Sequence, residues 1–227
     1  MQNHRPLQFS VFLRPSQASA PRKTKRAVLP VLSFSLAAVL LGAPAWAQDG
    51  PQNKGQFILL SGITQPLLLK GSNIAFNYGL SDRIILEGSF GFGLSYKNLL
   101  SDEDEKLFND VRTPLTGGFG IGYVPIKNLV VMFEPKFTNY KVEPKADKSF
   151  QYTTFTAGLG AYYNIYLFKG LLLQPAVKYW PKVGSTLNGD ETTFRDAEGA
   201  LRVDEARTPG NDGFIYNISL GWNFNRK

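Results

Sequence analysis

The chain has 227 residues, with 25 Lys and Arg against 18 Asp and Glu, a formal charge of +7, no cysteine and one histidine. That histidine, His4, lies in a segment that reads as a cleaved leader. The remainder of the chain therefore lacks His and Cys altogether, which excludes Ser-His-Asp triads, thiol nucleophiles, ordinary zinc sites and disulfides.

Residues 1 to 26 carry Arg5, Arg14, Arg22, Lys23, Lys25 and Arg26 without an acid, followed by AVLPVLSFSLAAVLLGAP and then Ala45-Trp46-Ala47. A basic head, an apolar middle and a small-x-small site predict a secretory signal peptide over 1–47, with the cleaved chain starting near Gln48. Pro30 and Pro44 break the apolar run, which makes it a poor membrane-spanning helix. Six of the 25 basic residues leave with this segment and all 18 acids stay, so the remainder carries only +1. No basic patch is left for a nucleic acid. Residues 48–55, rich in Gln, Gly and Asn, read as a short, mobile periplasmic leader, and 56–227 as one domain.

Eight segments then alternate aromatic and branched residues with small or polar ones, at roughly 56–63, 73–80, 83–96, 115–124, 128–141, 152–167, 170–182 and 213–225. Their connections alternate in length. Ser81-Asp82, Pro125-Ile126-Lys127 and Phe168-Lys169 are short turns, whereas 64–72, 97–114, 142–151 and 183–212 are long. Short turns at one rim and long loops at the other predict an all-β fold, an eight-stranded antiparallel up-and-down transmembrane β-barrel. The acidic runs, SDEDEK at 101–106 and Asp190, Glu191, Asp196, Glu198, Asp204 and Glu205, fall in the long loops and read as solvated. NGDETTFRDAEG does not keep the spacing of a calcium loop.

One face of each segment is large and apolar. In SFGFGLSY, Phe90, Phe92, Leu94 and Tyr96 share a side, and the pattern recurs in Phe119, Ile121 and Tyr123, in Phe155, Leu159 and Tyr163, and in Tyr216, Ile218, Leu220, Trp222 and Phe224. Such a belt exceeds the apolar patch a soluble monomer exposes, so it should face lipid. Phe90, Phe92, Phe119, Tyr163, Trp222 and Phe224 are the predicted lipid-facing anchors. The opposite side holds Glu87, Glu134, Lys136, Gln174 and Lys178 among Gly91, Gly93, Gly118, Gly120, Gly122, Gly158 and Gly160. Charges at mid-bilayer are costly, so Glu87, Glu134, Lys136 and Lys178 are expected to form a lumen network. Tyr140, Tyr162, Tyr166 and Trp180 share that inward side and would help to fill a barrel whose interior is only as wide as its side chains. GFGIG at 118–122 has neither the spacing nor the following helix of a nucleotide-binding loop.

The phrase NYGLSDRIILEGSFGFG, the turn YVPIKN and the closing strand FIYNISLGWNF resemble the small outer-membrane β-barrel family that includes the OmpA transmembrane domain and OmpX. The chain departs from that pattern in ending Asn225-Arg226-Lys227 after Phe224, and no peptidoglycan-binding domain follows. The resemblance implies an outer membrane of a Gram-negative type, with membrane lipid, lipopolysaccharide and the barrel assembly machinery as partners. Some barrels of this kind are lipid A enzymes that use a histidine, which is absent here after the leader.

The expected function is thus non-enzymatic, without cofactor or metal. It is a barrel with a filled polar lumen that contributes to envelope integrity and presents loops, chiefly 183–212, to an extracellular ligand. Two alternatives stay open at this point. One is a narrow passive channel or apolar-solute transporter similar to OmpW. The other is a soluble, lipocalin-like binder with the two faces reversed.

Overall fold

In a computed structural model, residues 52–210 and 213–226 are described. The predicted signal peptide and the first part of the leader lie outside them. Among the described residues twelve strands form, and eight close a barrel: β1 (Phe57–Gly62), β2 (Ser72–Gly79), β3 (Ile84–Ser95), β4 (Phe108–Ile126), β5 (Leu129–Pro144), β6 (Phe150–Tyr163), β8 (Leu171–Tyr179) and β12 (Phe214–Asn223). Each pairs antiparallel with its neighbour in the chain, β8 pairs with both β6 and β12, and β1 with β12 closes the ring. The up-and-down barrel read from the alternating segments is therefore the observed fold.

The other strands extend this wall or cap it. β7 (Ile165–Phe168) continues β6 beyond Asn164. Tyr162 pairs with Ala176 and Ile165 with Leu173, which brings Pro175 opposite Tyr163, where its missing N–H interrupts the ladder. β9 (Lys182–Ser185) continues β8 past Trp180-Pro181 and pairs with β6. β10 (Glu191–Arg195) and β11 (Leu201–Glu205) make a separate hairpin inside the 183–212 loop.

The short turns have local causes. Ser81 Oγ accepts from the N–H groups of Arg83 (3.3 Å) and Ile84 (3.1 Å). Asn128 and Lys169 take positive φ, 69° and 44°, in the next two turns. The described end of the leader is held at this rim. Asn53 Nδ2 donates to Asp82 O at 2.9 Å and Gly55 N to Gly79 O at 2.7 Å, which ties residues 53–55 to the β2–β3 turn.

The opposite rim departs from the sequence reading. β4 starts at Phe108 and β5 runs to Pro144, so the loops expected at 97–114 and 142–151 shrink. A short helix, α1 (Asp102–Leu107), precedes β4, with Ser101 Oγ accepting from Asp104 N at 3.1 Å as its cap. The wall becomes uneven as a result. β4, β5 and β6 have 19, 16 and 14 residues, whereas β1 and β2 have 6 and 8.

The alternation also slips once. Gly93 sits at φ +65° and faces outward, so Phe90 and Phe92 are on the outer face while Leu94 and Tyr96 turn inward and are buried. Pro114 lies across from Gly93, and β4 slips with it, taking Thr113 in and Leu115 out. Leu94 and Tyr96 thus leave the shared face expected for SFGFGLSY, and Gly93 leaves the inward set, because a glycine in the left-handed region lets a strand change face as a bulge does. Above the slip, Leu94, Tyr96, Phe108, Val111, Tyr140, Val142, Tyr152 and Phe194 form one buried cluster in the mouth. Among the described residues no helix is long and apolar enough to cross a membrane.

Candidate functional site

The lumen gathers the four charged residues singled out in the sequence. They come from three strands: Glu87 from β3, Glu134 and Lys136 from β5, and Lys178 from β8. Each sits on the inward parity, and all four are buried. Lys136 Nζ lies 3.0 Å from Glu134 Oε1 and 3.6 Å from Glu87 Oε1, and it donates to Ser89 Oγ. The Tyr162 hydroxyl donates to Glu134 Oε2, and Trp180 Nε1 reaches the same oxygen at 3.3 Å. The Asn77 amide lies 3.2 Å from Glu87 Oε2.

Lys178 behaves differently from Lys136. Its ammonium stands 4.7 Å from the Trp180 ring centre and 4.8 Å from that of Tyr162. Among the described residues it makes no ion pair within 4.0 Å and no hydrogen bond. The network therefore balances two positive against two negative charges: Lys136 contacts both carboxylates, and Lys178 acts on them from beyond 4.0 Å.

Glycines make this packing fit. A Cβ on Gly118 would meet the Lys136 side chain and the Pro135 carbonyl, and one on Gly160 would meet Tyr162 and Glu134 Oε2. Beside the network is a cavity of about 100 Å³, whose lining includes Glu87, Lys136, Lys178, Gln65, Leu69 and Ile215. Tyr140 and Trp180 are buried in the bore, and Tyr166 is partly buried beside Leu172.

The six rings expected on the outer face, Phe90, Phe92, Phe119, Tyr163, Trp222 and Phe224, all point away from the lumen and are 42 to 61% exposed. Neighbours extend them into a belt. Phe76 stacks near Phe90 at 6.5 Å between ring centres, and Phe57 lies 5.7 Å from Phe224.

A second cluster, which the sequence reading left in solvated loops, closes the mouth. Arg207 Nη2 lies 2.9 Å from Asp204 Oδ1 and 3.5 Å from Asp104 Oδ1, with its Cζ 4.9 Å from the Phe108 ring centre. All three side chains are buried. Arg207 N donates to the Tyr152 hydroxyl at 3.1 Å, and Phe194 of β10 packs 5.1 Å from Phe108 and 6.4 Å from Phe150. Burial pushes the Asp204 carboxyl above its usual range, against the Arg207 charge that lowers it. Burial works to lower the Arg207 guanidinium, yet Asp204 and Asp104 hold it above its ordinary value.

Asp196 is likewise buried and builds the β10–β11 turn. Its Oδ1 accepts from Glu198 N (3.1 Å) and Ala200 N (2.8 Å), and Arg202 Nε meets its Oδ2 at 2.6 Å. The acidic runs are thus only partly solvated. A usable signal was the Ser101-x-x-Asp104 spacing, which marks a helix cap; nothing in the sequence paired Asp104 with Arg207 across 103 positions. Among the described residues no group of three or more acidic or histidine side chains is placed to hold a metal ion. Compared with known proteins, the chain matches no family model and no curated protein.

Proposed function

We propose that this protein is a non-enzymatic outer-membrane β-barrel that crosses the bilayer with its strands. Its lumen is closed by the Glu87–Glu134–Lys136–Lys178 network, and it contributes to envelope integrity while presenting the capped mouth, chiefly β10–β11, to an extracellular ligand. The observation that carries this reading is the division of the wall into two sides. Large apolar rings stand exposed outside, while charged side chains are buried inside. In water that belt would exceed the few hundred Å² of contiguous apolar surface a soluble monomer tolerates. In a bilayer the same belt is solvated by acyl chains, and closure of the ring by β1 and β12 leaves no free sheet edge along that seam.

The same division argues against a lipocalin-like binder, whose interior would be apolar and whose outside would be polar. The basic leader followed by a small-x-small site supports export, and the resemblance to OmpA and OmpX supports an outer-membrane location, with lipid, lipopolysaccharide and the assembly machinery as partners. Planar-bilayer recording on the purified protein tests the closed lumen. The expected trace has no sustained conductance, and stable ohmic openings would contradict the reading.

A further inference from the structure

The lowest part of the wall lies beside the lumen cavity. β1 pairs with β12 only as far as Gly62 opposite Ser219, and the last links are Ile63 N to Ile218 O (2.9 Å) and Ile218 N to Thr64 Oγ1 (3.2 Å). Above them β12 continues through 214–217, paired with β8. β2 begins only at Ser72, so no strand stands between it and this part of β12. The gap is covered by the π-helical turn Gln65–Leu69, in which Leu67 and Leu68 are exposed and Leu69 is buried.

That cover packs Leu69 into the mouth cluster and meets β12 through polar contacts at Asn217. Gln65 Nε2 reaches Asn217 Oδ1 at 3.3 Å and the Thr64 hydroxyl donates to the same oxygen at 3.0 Å, while Gln65 Oε1 is buried without a partner. Gln65, Leu69 and Ile215 also line the cavity, which puts the cover directly over it.

Lys178 faces the same space. It is the cross-strand partner of Ile215, so its ammonium lies one strand from the gap. The residue is 8% exposed and lines the cavity with three N–H donors and no hydrogen-bond acceptor among the described residues. Glu134 and Glu87 act on this ammonium only from beyond 4.0 Å and are both in contact with Lys136, so its N–H groups keep no direct acceptor. An anionic head placed in the cavity would supply what Lys178 lacks. Size then selects the head: about 100 Å³ is smaller than the ~150 Å³ that holds a benzene ring, enough for a carboxylate and its first carbons but not for a phosphoglycerol.

We propose that the lumen cavity is a binding site for a medium-chain fatty carboxylate, with its head on Lys178 and its tail leaving past Gln65–Leu69 through the gap between β12 and β2. Leu69 and Ile215 give the tail apolar walls, and the exposed Leu67 and Leu68 mark where it meets the surrounding acyl chains. The exit of the tail into lipid rests on the proposed membrane location; the docking of the head does not.

The test uses Trp180, whose ring neighbours Lys178, as the reporter in protein isolated from membranes with Trp46→Phe and Trp222→Phe, which leaves it the only tryptophan. Titration with octanoate should shift its emission saturably. Octanol, acetate and octyl phosphate should each bind at least tenfold more weakly. Lys178→Met should weaken octanoate at least tenfold while heat-modifiable migration persists, and Ala75→Phe, which fills the cavity without touching a charge, should abolish binding. Absence of a saturable shift, equal affinity for octanol, or unchanged affinity in both variants would overturn the site. Binding that survives in a protein whose outer rings do not contact acyl chains would keep the head site and remove the membrane reading instead.

Discussion

Lys136 holds its ammonium 3.0 Å from Glu134 in the middle of the barrel, with side-chain exposures of 6% and 0%. Removing either partner unbalances the buried network, leaving Lys136 and Lys178 with Glu87 alone or Glu134 and Glu87 with Lys178 alone, which costs about 3–5 kcal/mol, whereas replacing both with apolar residues of similar size keeps the charges balanced and is close to neutral. Glu134→Leu and Lys136→Met should therefore each destabilise the barrel strongly, and the double variant should recover most of that loss. Urea unfolding in lipid vesicles, followed by heat-modifiable migration, measures this. Additive losses in the double variant would mean that the two groups are not a pair.

The outer rings give a second test. Phe119 is the most exposed of the six anchors and projects from the middle of the β4 wall. Phe119→Arg should cost about 2–4 kcal/mol if that position lies at mid-bilayer. Thr193→Arg, on the exposed side of the β10 hairpin, should stay within about 0.5 kcal/mol. Equal effects of the two changes, compared by the same unfolding assay, would contradict a lipid-facing β4.

The mouth cap should respond to pH in two opposing ways. Burial raises the Asp204 carboxyl in the closed cap, so its contribution to closure is complete below the ordinary value of about 3.9 and is lost as pH rises through the raised one. The groups facing it are Arg207, Asp104 and Glu205, with the Tyr152 hydroxyl bonded to the Arg207 backbone. The Arg202 hydrogen bond lowers Asp196 and the Ser185 hydrogen bond lowers Asp190, so their support is present above the ordinary value and lost as pH falls through the lowered ones. Closure should therefore be tightest in mildly acidic solution. A spin label at Thr193 should gain mobility as pH rises from about 4 toward neutrality, Asp204→Asn should flatten that rise, and Arg207→Met should leave the label mobile throughout. A label whose mobility ignores both substitutions would show that the latch does not hold the hairpin.

Much of this arrangement is legible in the residues alone. Alternation with period two is a local property of a strand, so the outer rows and the inward Glu87, Glu134, Lys136 and Lys178 could be read directly, and the three short turns set the strand order. Two things could not be read. The change of face at Gly93 requires knowing a backbone angle that glycine permits but does not impose, and with it Leu94 and Tyr96 crossed to the inside. The mouth cap depends on contacts between distant segments, as Phe194 with Phe108 and Arg207 with Asp104, which polar composition alone assigned to solvent. The height of the wall failed for a related reason: Phe108, Val111 and Val142 continue β4 and β5 upward only because Phe194 arrives to cover the cluster they form.

The central claim, that rings face acyl chains while the bore is sealed from them, is tested most directly by fluorescence quenching with brominated lipids. With Trp46→Phe in place, Trp222 and Trp180 can each be kept as the sole tryptophan, one 42% exposed on the outer wall and the other 9% exposed in the lumen. The account predicts strong quenching of Trp222 and little of Trp180. Quenching of Trp180 with Trp222 spared would contradict it.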